Sequence, residues 1–329
     1  MKSIDGVTAG RAVAAVAGGF LLLAAALAQA QGQYPSRPIR LLTPFAPGGG
    51  SDILGRLLAP HIYASMGQPV IVDNRPGGGG TLGAGLAVRA DPDGYTLIVV
   101  SGSYGANAAL YALPYDSVTD ITPVILIGTT PLLVTMHPSV PIRTVRELIA
   151  FARANPNKLN FGSAGNGGLG HLAQAFFKIE TGVAFAHIPY KGSGPVMNAL
   201  LAGEVDASFS SLVPTVPYLK SGRLRAVAVT TPKRTVNLPD VPTVGETVPG
   251  YEVTHWYGMW GPKGLPREIV QRWNAEVARV IKTEAVQKWM IGEGLEPAGG
   301  PPEEFRERIE RDVAKWKRVV KEAQIAVTK

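Results

Sequence analysis

From Arg37 onward the chain repeats one unit: a short apolar run, a glycine-rich loop, then apolar residues at helical spacing. "PIRLLTPF" passes through "APGGGSD" into "ILGRLLAPHIYASMG". "PVIVDN" passes through "RPGGGG" into "TLGAGLAVRA", and "YTLIVV" through "SGSYG" into "ANAALY". Short apolar strands alternating with helices predict parallel βαβ units in a sheet covered on both faces. The pattern restarts near Leu132 with "LLVTMH", the helix "TVRELIAFARANP", "KLNF", a helix around His171, "AFAHIPY", the helix "GPVMNALLAG", "VDASFS" and "RAVAVT". A third section breaks the alternation: the aromatic strand "YEVTHWYGMWGPKG" precedes two long helical stretches. In the last of these, Phe305, Ile309, Val313, Trp316 and Val320 form one apolar stripe that needs a neighbour, and its charges form a solvated face.

The runs "DITPVILIGTT" and "YEVTHWYGMW" bracket the second α/β unit. The chain is therefore expected to leave one domain, build a second over residues 131–252, and return. Residues 31–130 and 253–329 would make the first domain. Two such crossings make a hinge, and a hinge between two open sheets makes a cleft.

The first thirty residues follow a different rule. Lys2 and Arg11 precede an apolar run that ends in small residues at Ala28 and Ala30. This is the pattern of a cleavable secretory signal over residues 1–30, cut before Gln31. The chain contains no cysteine, which rules out thiol chemistry, cysteine metal sites and a lipid anchor on a terminal cysteine. With 329 residues, 46% of them hydrophobic, a core can form without a metal or disulfide staple. The net charge of +7 comes from Lys and Arg scattered among Asp and Glu. Nothing forms a basic stripe interleaved with aromatics, so nucleic acid is excluded as a partner.

The glycine loops carry the candidate chemistry. A loop between a parallel strand and a helix lies where open α/β sheets bind ligands. The helix start offers unpaired N–H groups and the positive end of its dipole. Such a cradle accepts phosphate, sulfate or carboxylate alike. "PFAPGGGSD" and "FGSAGNGGLGH" both fit. The second contains G-x-G-x-x-G at Gly165, Gly167 and Gly170, yet no Asp or Glu occurs between Glu180 and Glu204 to hold a ribose. Neither "GGGSD" nor "GGGGT" supplies a Walker lysine. A nucleotide is thereby disfavoured and no cofactor is expected. A carboxylate fits better, held by two or three main-chain N–H groups and the Ser163 hydroxyl.

Single residues divide between binding and support. Asp52 starts a helix, where capping competes with contact to a ligand amine. Arg75 suits an anion clamp or loop bracing. His171 begins the helix after the second loop, with a structural or a ligand-contacting role. Tyr190 follows a strand and either closes over a ligand or packs in the core. Asp206 either fixes water in the cleft or caps its strand. "SGSYG" resembles an imperfect nucleophile elbow, so the alternative function is an exported serine hydrolase using Ser103 with Asp240 and His255. The five histidines are scattered and no H-E-x-x-H occurs, which excludes the common zinc-hydrolase pattern.

Taken together, "YPSRPIRLLTPFAPGGGSD", "VIVDNRPGGGGTLGA", "PDGYTLI", "FGSAGNGGLGHLA", "HIPYKGSGP", "LLAGEVDASF" and "LRAVAVT" give the chain a specific likeness. It resembles the Bug-type periplasmic solute-binding receptors of tripartite tricarboxylate transporters. The resemblance implies a two-domain Venus-flytrap α/β fold, no enzymatic activity, and a periplasmic monomer that passes a small carboxylate to the transporter's membrane subunits. It implies that Pro47, Gly48, Gly49, Gly50 and Asp52 of the first loop clasp carboxylates through main-chain N–H groups and ordered water. Gly162, Ser163, Ala164, Gly165, Asn166 and Gly167 of the second loop would do the same. Phe45, Ser101 and Ser103 match positions lining the first-domain side, and Tyr190 and Asp206 the second-domain side. The chain departs from the pattern at Gly168, where a hydroxyl residue is usual, and at Ser210, where an acidic residue often follows the phenylalanine.

Overall fold

The computed structural model describes residues 34–322, apart from Val236. The signal segment lies outside the described residues. Among those described, no helix is long and apolar enough to cross a membrane.

The described residues from Pro38 onward form one compact unit around a ten-stranded sheet. One end is built from β1 (Ile39–Thr43), α1 (Gly50–Met66), β2 (Val70–Asn74), α2 (Thr81–Val88), β3 (Thr96–Ser101) and α3 (Ser103–Leu110). The strand β4 (Ile121–Met136) then runs into the other end. There α4 (Val145–Ala154), β5 (Asn160–Ser163), α5 (Leu169–Thr181), β6 (Ala186–Pro189), α6 (Ser193–Ala202), β7 (Ala207–Ser211), α7 (Val216–Lys220) and β8 (Arg225–Val229) follow. The chain returns along β9 (Thr254–Pro262) and finishes with α8 (Arg267–Ile281), α9 (Glu284–Gly292), β10 (Glu296–Gly299) and α10 (Pro302–Glu322). The strands are ordered β2-β1-β3-β9-β4-β7-β5-β6, with β8 and β10 also pairing to β4.

The alternating α/β pattern appears at both ends of the sheet as parallel pairing: β1 with β2 and β3, and β5 with β6 and β7. The middle is antiparallel, because β9 returns between β3 and β4. "DITPVILIGTT" and "LLVTMH", which the pattern predicts as separate strands, are one strand of 16 residues. Pro123 and Pro131 hide this in the sequence, since proline reads as a strand breaker. Register irregularities between Pro123 and Ile125 and between Leu126 and Gly128 let β4 continue past the first proline. β10 and the short helices α7 and α9 are not visible in the hydrophobic pattern.

The apolar stripe of α10 is buried as predicted, from Phe305 (0% exposed) to Val320 (5%). It serves two cores. Phe305, Ile309 and Val313 join Leu42, Ile98, Trp256 and Trp260, whereas Trp316 and Val320 join Leu132, Val134, Phe161 and Phe209.

Candidate functional site

Parallel strands point their C-terminal ends the same way, so the loops after β1 and β3 and those after β5 and β6 meet. Between them lies a small cavity of about 40 Å³. Four helices begin at its wall: α1 at Gly49, Gly50 and Ser51, α3 at Ser103, α5 at Leu169 and Gly170, and α6 at Ser193. Ser101, Ser208, Ser210, Ser211, His255 and Tyr257 complete the polar lining. Phe45, Leu132, Val196, Met197 and Phe209 supply the apolar part. No Asp, Glu, Lys or Arg is among the described residues that line it. The positive potential there comes from helix dipoles, each worth roughly 0.3–1 kcal/mol to an anion, more when partly buried.

Of the residues expected from the sequence to contact a carboxylate, six reach this cavity: Phe45, Gly49, Gly50, Ser101, Ser103 and Ala164. Gly165, Asn166 and Tyr190 line a neighbouring cleft on the outer side of the second loop, opposite Gly77–Gly80 and Tyr111. The others brace the loops. Pro47 faces the start of α6, its carbonyl within 2.3 Å of where a Cβ on Gly194 would fall. The N–H of Gly48 donates to Asp52 Oδ2 at 3.0 Å, while Arg56 and Asn74 both donate to Oδ1. Asp52 thus reaches back over its own helix start, with both oxygens occupied. Burial alone would raise its pKa, but Arg56, Gly48 and Asn74 outweigh that and hold it low. Gly162 packs against Val196 and Val205, and its carbonyl accepts from Gln174.

Ser163, Gly167 and His171 form a single brace under the second loop. Ser163 Oγ bonds His187 Nε2 at 2.6 Å and accepts from Gly165 N–H. The N–H of Gly167 donates to His171 Nδ1 at 3.1 Å. The two imidazoles stack with centroids 4.1 Å apart. The expectation that Ser163 turns its hydroxyl to a ligand is not met by this geometry, because the hydroxyl is engaged inside the loop. Asp206 sits at the opposite end of β7 from the cavity, where Oδ2 accepts from Asn160 N–H at 2.7 Å. It ties β7 to β5 and lines none of the pockets described above. Arg75 pairs with Asp73.

Burial, reinforced by mutual repulsion with His171 and with Lys178, pushes the His187 pKa down to about 3. Burial, with Arg308 adding to it, does the same to His255. The unfolded chain therefore takes up protons that these rings refuse when folded, and stability falls as pH drops below about 6.5. We expect the melting temperature to decline between pH 6.5 and 4.5, above the range where carboxylates titrate. In thermal-shift measurements His255→Gln should show a shallower decline.

The hydrolase arrangement is not assembled. Ser103 Oγ accepts the Leu169 N–H at 2.9 Å, and His255 Nδ1 has no hydrogen-bond partner among the described residues. Asp240 lines none of the pockets described above.

Several cavity residues escaped the sequence reading. Ser51 lies within the quoted "GGGSD". Ser193 follows β6 in "KGSGP", a third strand–glycine–helix junction whose grammar was available. Ser210 was marked only as a departure from the family pattern, and Tyr257, Ser208 and Ser211 left no signal, because they depend on which strands become neighbours.

Comparison with known proteins places this geometry. A family model described as "Tripartite tricarboxylate transporter family receptor" matches residues 54–325. Protein BugT of Bordetella pertussis is 34% identical over 293 residues, covering 88% of this chain and 90% of BugT. A Rhodopseudomonas palustris protein solved with adipate superposes with a TM-score of 0.86 at 37% identity, covering 89% of this chain and 99% of that one. MatC of the same organism, solved with bound malate, gives a TM-score of 0.83 at 30% identity, covering 87% and 100%. The chain belongs to the tripartite tricarboxylate transporter receptor family, whose members are solute-binding receptors.

Proposed function

We propose that this receptor captures a small carboxylate between its glycine-rich loops and presents it to a membrane permease. The observation that carries the reading is the convergence of four helix starts on one cavity whose described lining holds no charged side chain. A carboxylate there is met by main-chain N–H groups and hydroxyls. Hydrogen bonds to a charged group contribute roughly 1.5–3 kcal/mol each. Three or four of them reach the about 8 kcal/mol of a micromolar complex, after ordering costs. The adipate- and malate-bound relatives support the ligand class.

The two ends of the sheet act as lobes, residues 31–130 with 253–329 against residues 131–252, and β4 and the entry to β9 serve as the hinge. The lobes touch through Ala46 N–H to Lys191 O at 3.0 Å, Leu169 N–H to Ser103 Oγ, and Tyr111 Oη to Asn166 O. A ligand of more than a few heavy atoms enters the small cavity only when these contacts part. The secretory leader read in the sequence and the periplasmic setting of the family support capture outside the cytoplasm, by a monomer without a cofactor.

Calorimetric titration of the mature protein with mono- and dicarboxylates should yield at least one micromolar or tighter ligand. Phosphate esters should give no heat. Binding of phosphate esters alone would overturn the reading. So would ester hydrolysis that disappears in Ser103→Ala.

A further inference from the structure

Of the serines lining the cavity, Ser103 and Ser211 are bonded to other parts of the protein. Ser51 Oγ, Ser208 Oγ, Ser210 Oγ and His255 Nδ1 have no hydrogen-bond partner among the described residues. These four residues are buried, at 2%, 0%, 4% and 5% exposure, and all line the cavity. Buried polar groups are rarely left unpaired, because desolvating them is unfavourable. Four such groups around one space imply a ligand that pairs with them.

Their chemistry restricts that ligand. Ser51 belongs to the start of α1 and can join the main-chain N–H groups around a carboxylate. Ser208 and Ser210 lie two apart on β7 and so share a face of the sheet, and His255 comes from β9. Hydroxyls and a neutral imidazole both donate and accept, whereas a carboxylate only accepts. A ligand hydroxyl uses both capacities, and a ligand carbonyl takes one donor without bringing charge. Among the described lining residues there is no cation to offset a further negative group at this position.

We propose that Ser208, Ser210 and His255 form a subsite for an uncharged hydroxyl or carbonyl oxygen, making the cargo a short hydroxy- or oxo-carboxylic acid. This rests on the carboxylate reading above. Sites built to bond a hydroxyl discriminate strongly against analogues lacking it.

The test is calorimetry on matched pairs: malate against succinate, 3-hydroxybutyrate against butyrate, and lactate against propionate. At least one hydroxy acid should bind at least about tenfold tighter than its partner. Ser210→Ala and Ser208→Ala should each shrink that ratio, a readout that general loss of structure would not move selectively. If acids bind but every pair differs by less than tenfold, the subsite is refuted while the carboxylate reading stands. A ratio unchanged in both serine variants refutes it equally. If no acid binds at all, both fail together.

Discussion

Replacing Gly194 by alanine is expected to weaken carboxylate binding by about 100-fold while leaving the ligand-free protein as stable as before, or slightly more so. Gly194 is the second residue of α6. A Cβ there would lie 2.3 Å from Pro47 O and 3.2 Å from Gly48 C. Both obstacles are backbone and belong to the other of the two proposed lobes, so no rotamer relieves the clash. The methyl wedges the first loop away from α6 and disrupts the Ala46–Lys191 hydrogen bond. Overpacking of this kind costs about 1–3 kcal/mol, which at about 1.4 kcal/mol per decade is roughly 5- to 140-fold in affinity. We place it at the upper end because the obstacle cannot rotate away. Were the lobes to part as proposed, Pro47 and Gly48 would clear the methyl, and alanine in a helix is preferred over glycine by roughly 0.5–1 kcal/mol. Calorimetry with the tightest acid found, paired with thermal melts without ligand, checks both halves. Unchanged affinity would mean that the lobes do not close on the ligand as argued.

Gly50→Ala should damage both properties. Gly50 is the first residue of α1 and part of the cavity wall. A Cβ there would fall 1.9 Å from Tyr257 Oη and 2.4 Å from its Cζ. Tyr257 is buried, and its hydroxyl bonds Ser211 at 2.6 Å, so moving the ring aside costs that bond. Here the clash exists whether or not a ligand is present. We expect a destabilisation of about 1–3 kcal/mol, a drop of several degrees in melting temperature, and at least about tenfold weaker binding as the start of α1 shifts. A variant that melts like the parent protein and binds normally would show that α1 is not fixed against Tyr257.

The difference between these two glycines indicates what the sequence could and could not reveal. Both belong to loops predicted by the strand–glycine–helix alternation, because that signal depends only on local spacing. The role of each depends on what faces it: backbone of the other lobe for Gly194, a core tyrosine for Gly50. Strand order decides this, and β9 inserts between β3 and β4 without a local signature. The same limit explains Asp206, which is adjacent in sequence to the β7 serines yet lies at the far end of that strand. His171 shows the converse: the sequence placed it beside the second loop, and only the neighbouring strand β6 supplies the stacked His187 that makes it a support. The two prolines of β4 concealed a continuous strand, since the irregularities that accommodate them arise from pairing.

The uncharged lining of the cavity has an evolutionary consequence. Peptide amides are supplied by every residue except proline, so if the proposed grip on an organic acid is theirs, substitutions that respect the loop's shape leave it in place. The hydroxyls and the imidazole opposite are ordinary side chains, open to replacement one at a time. Descendants of such a receptor can exchange one cargo for another without passing through a form that binds nothing.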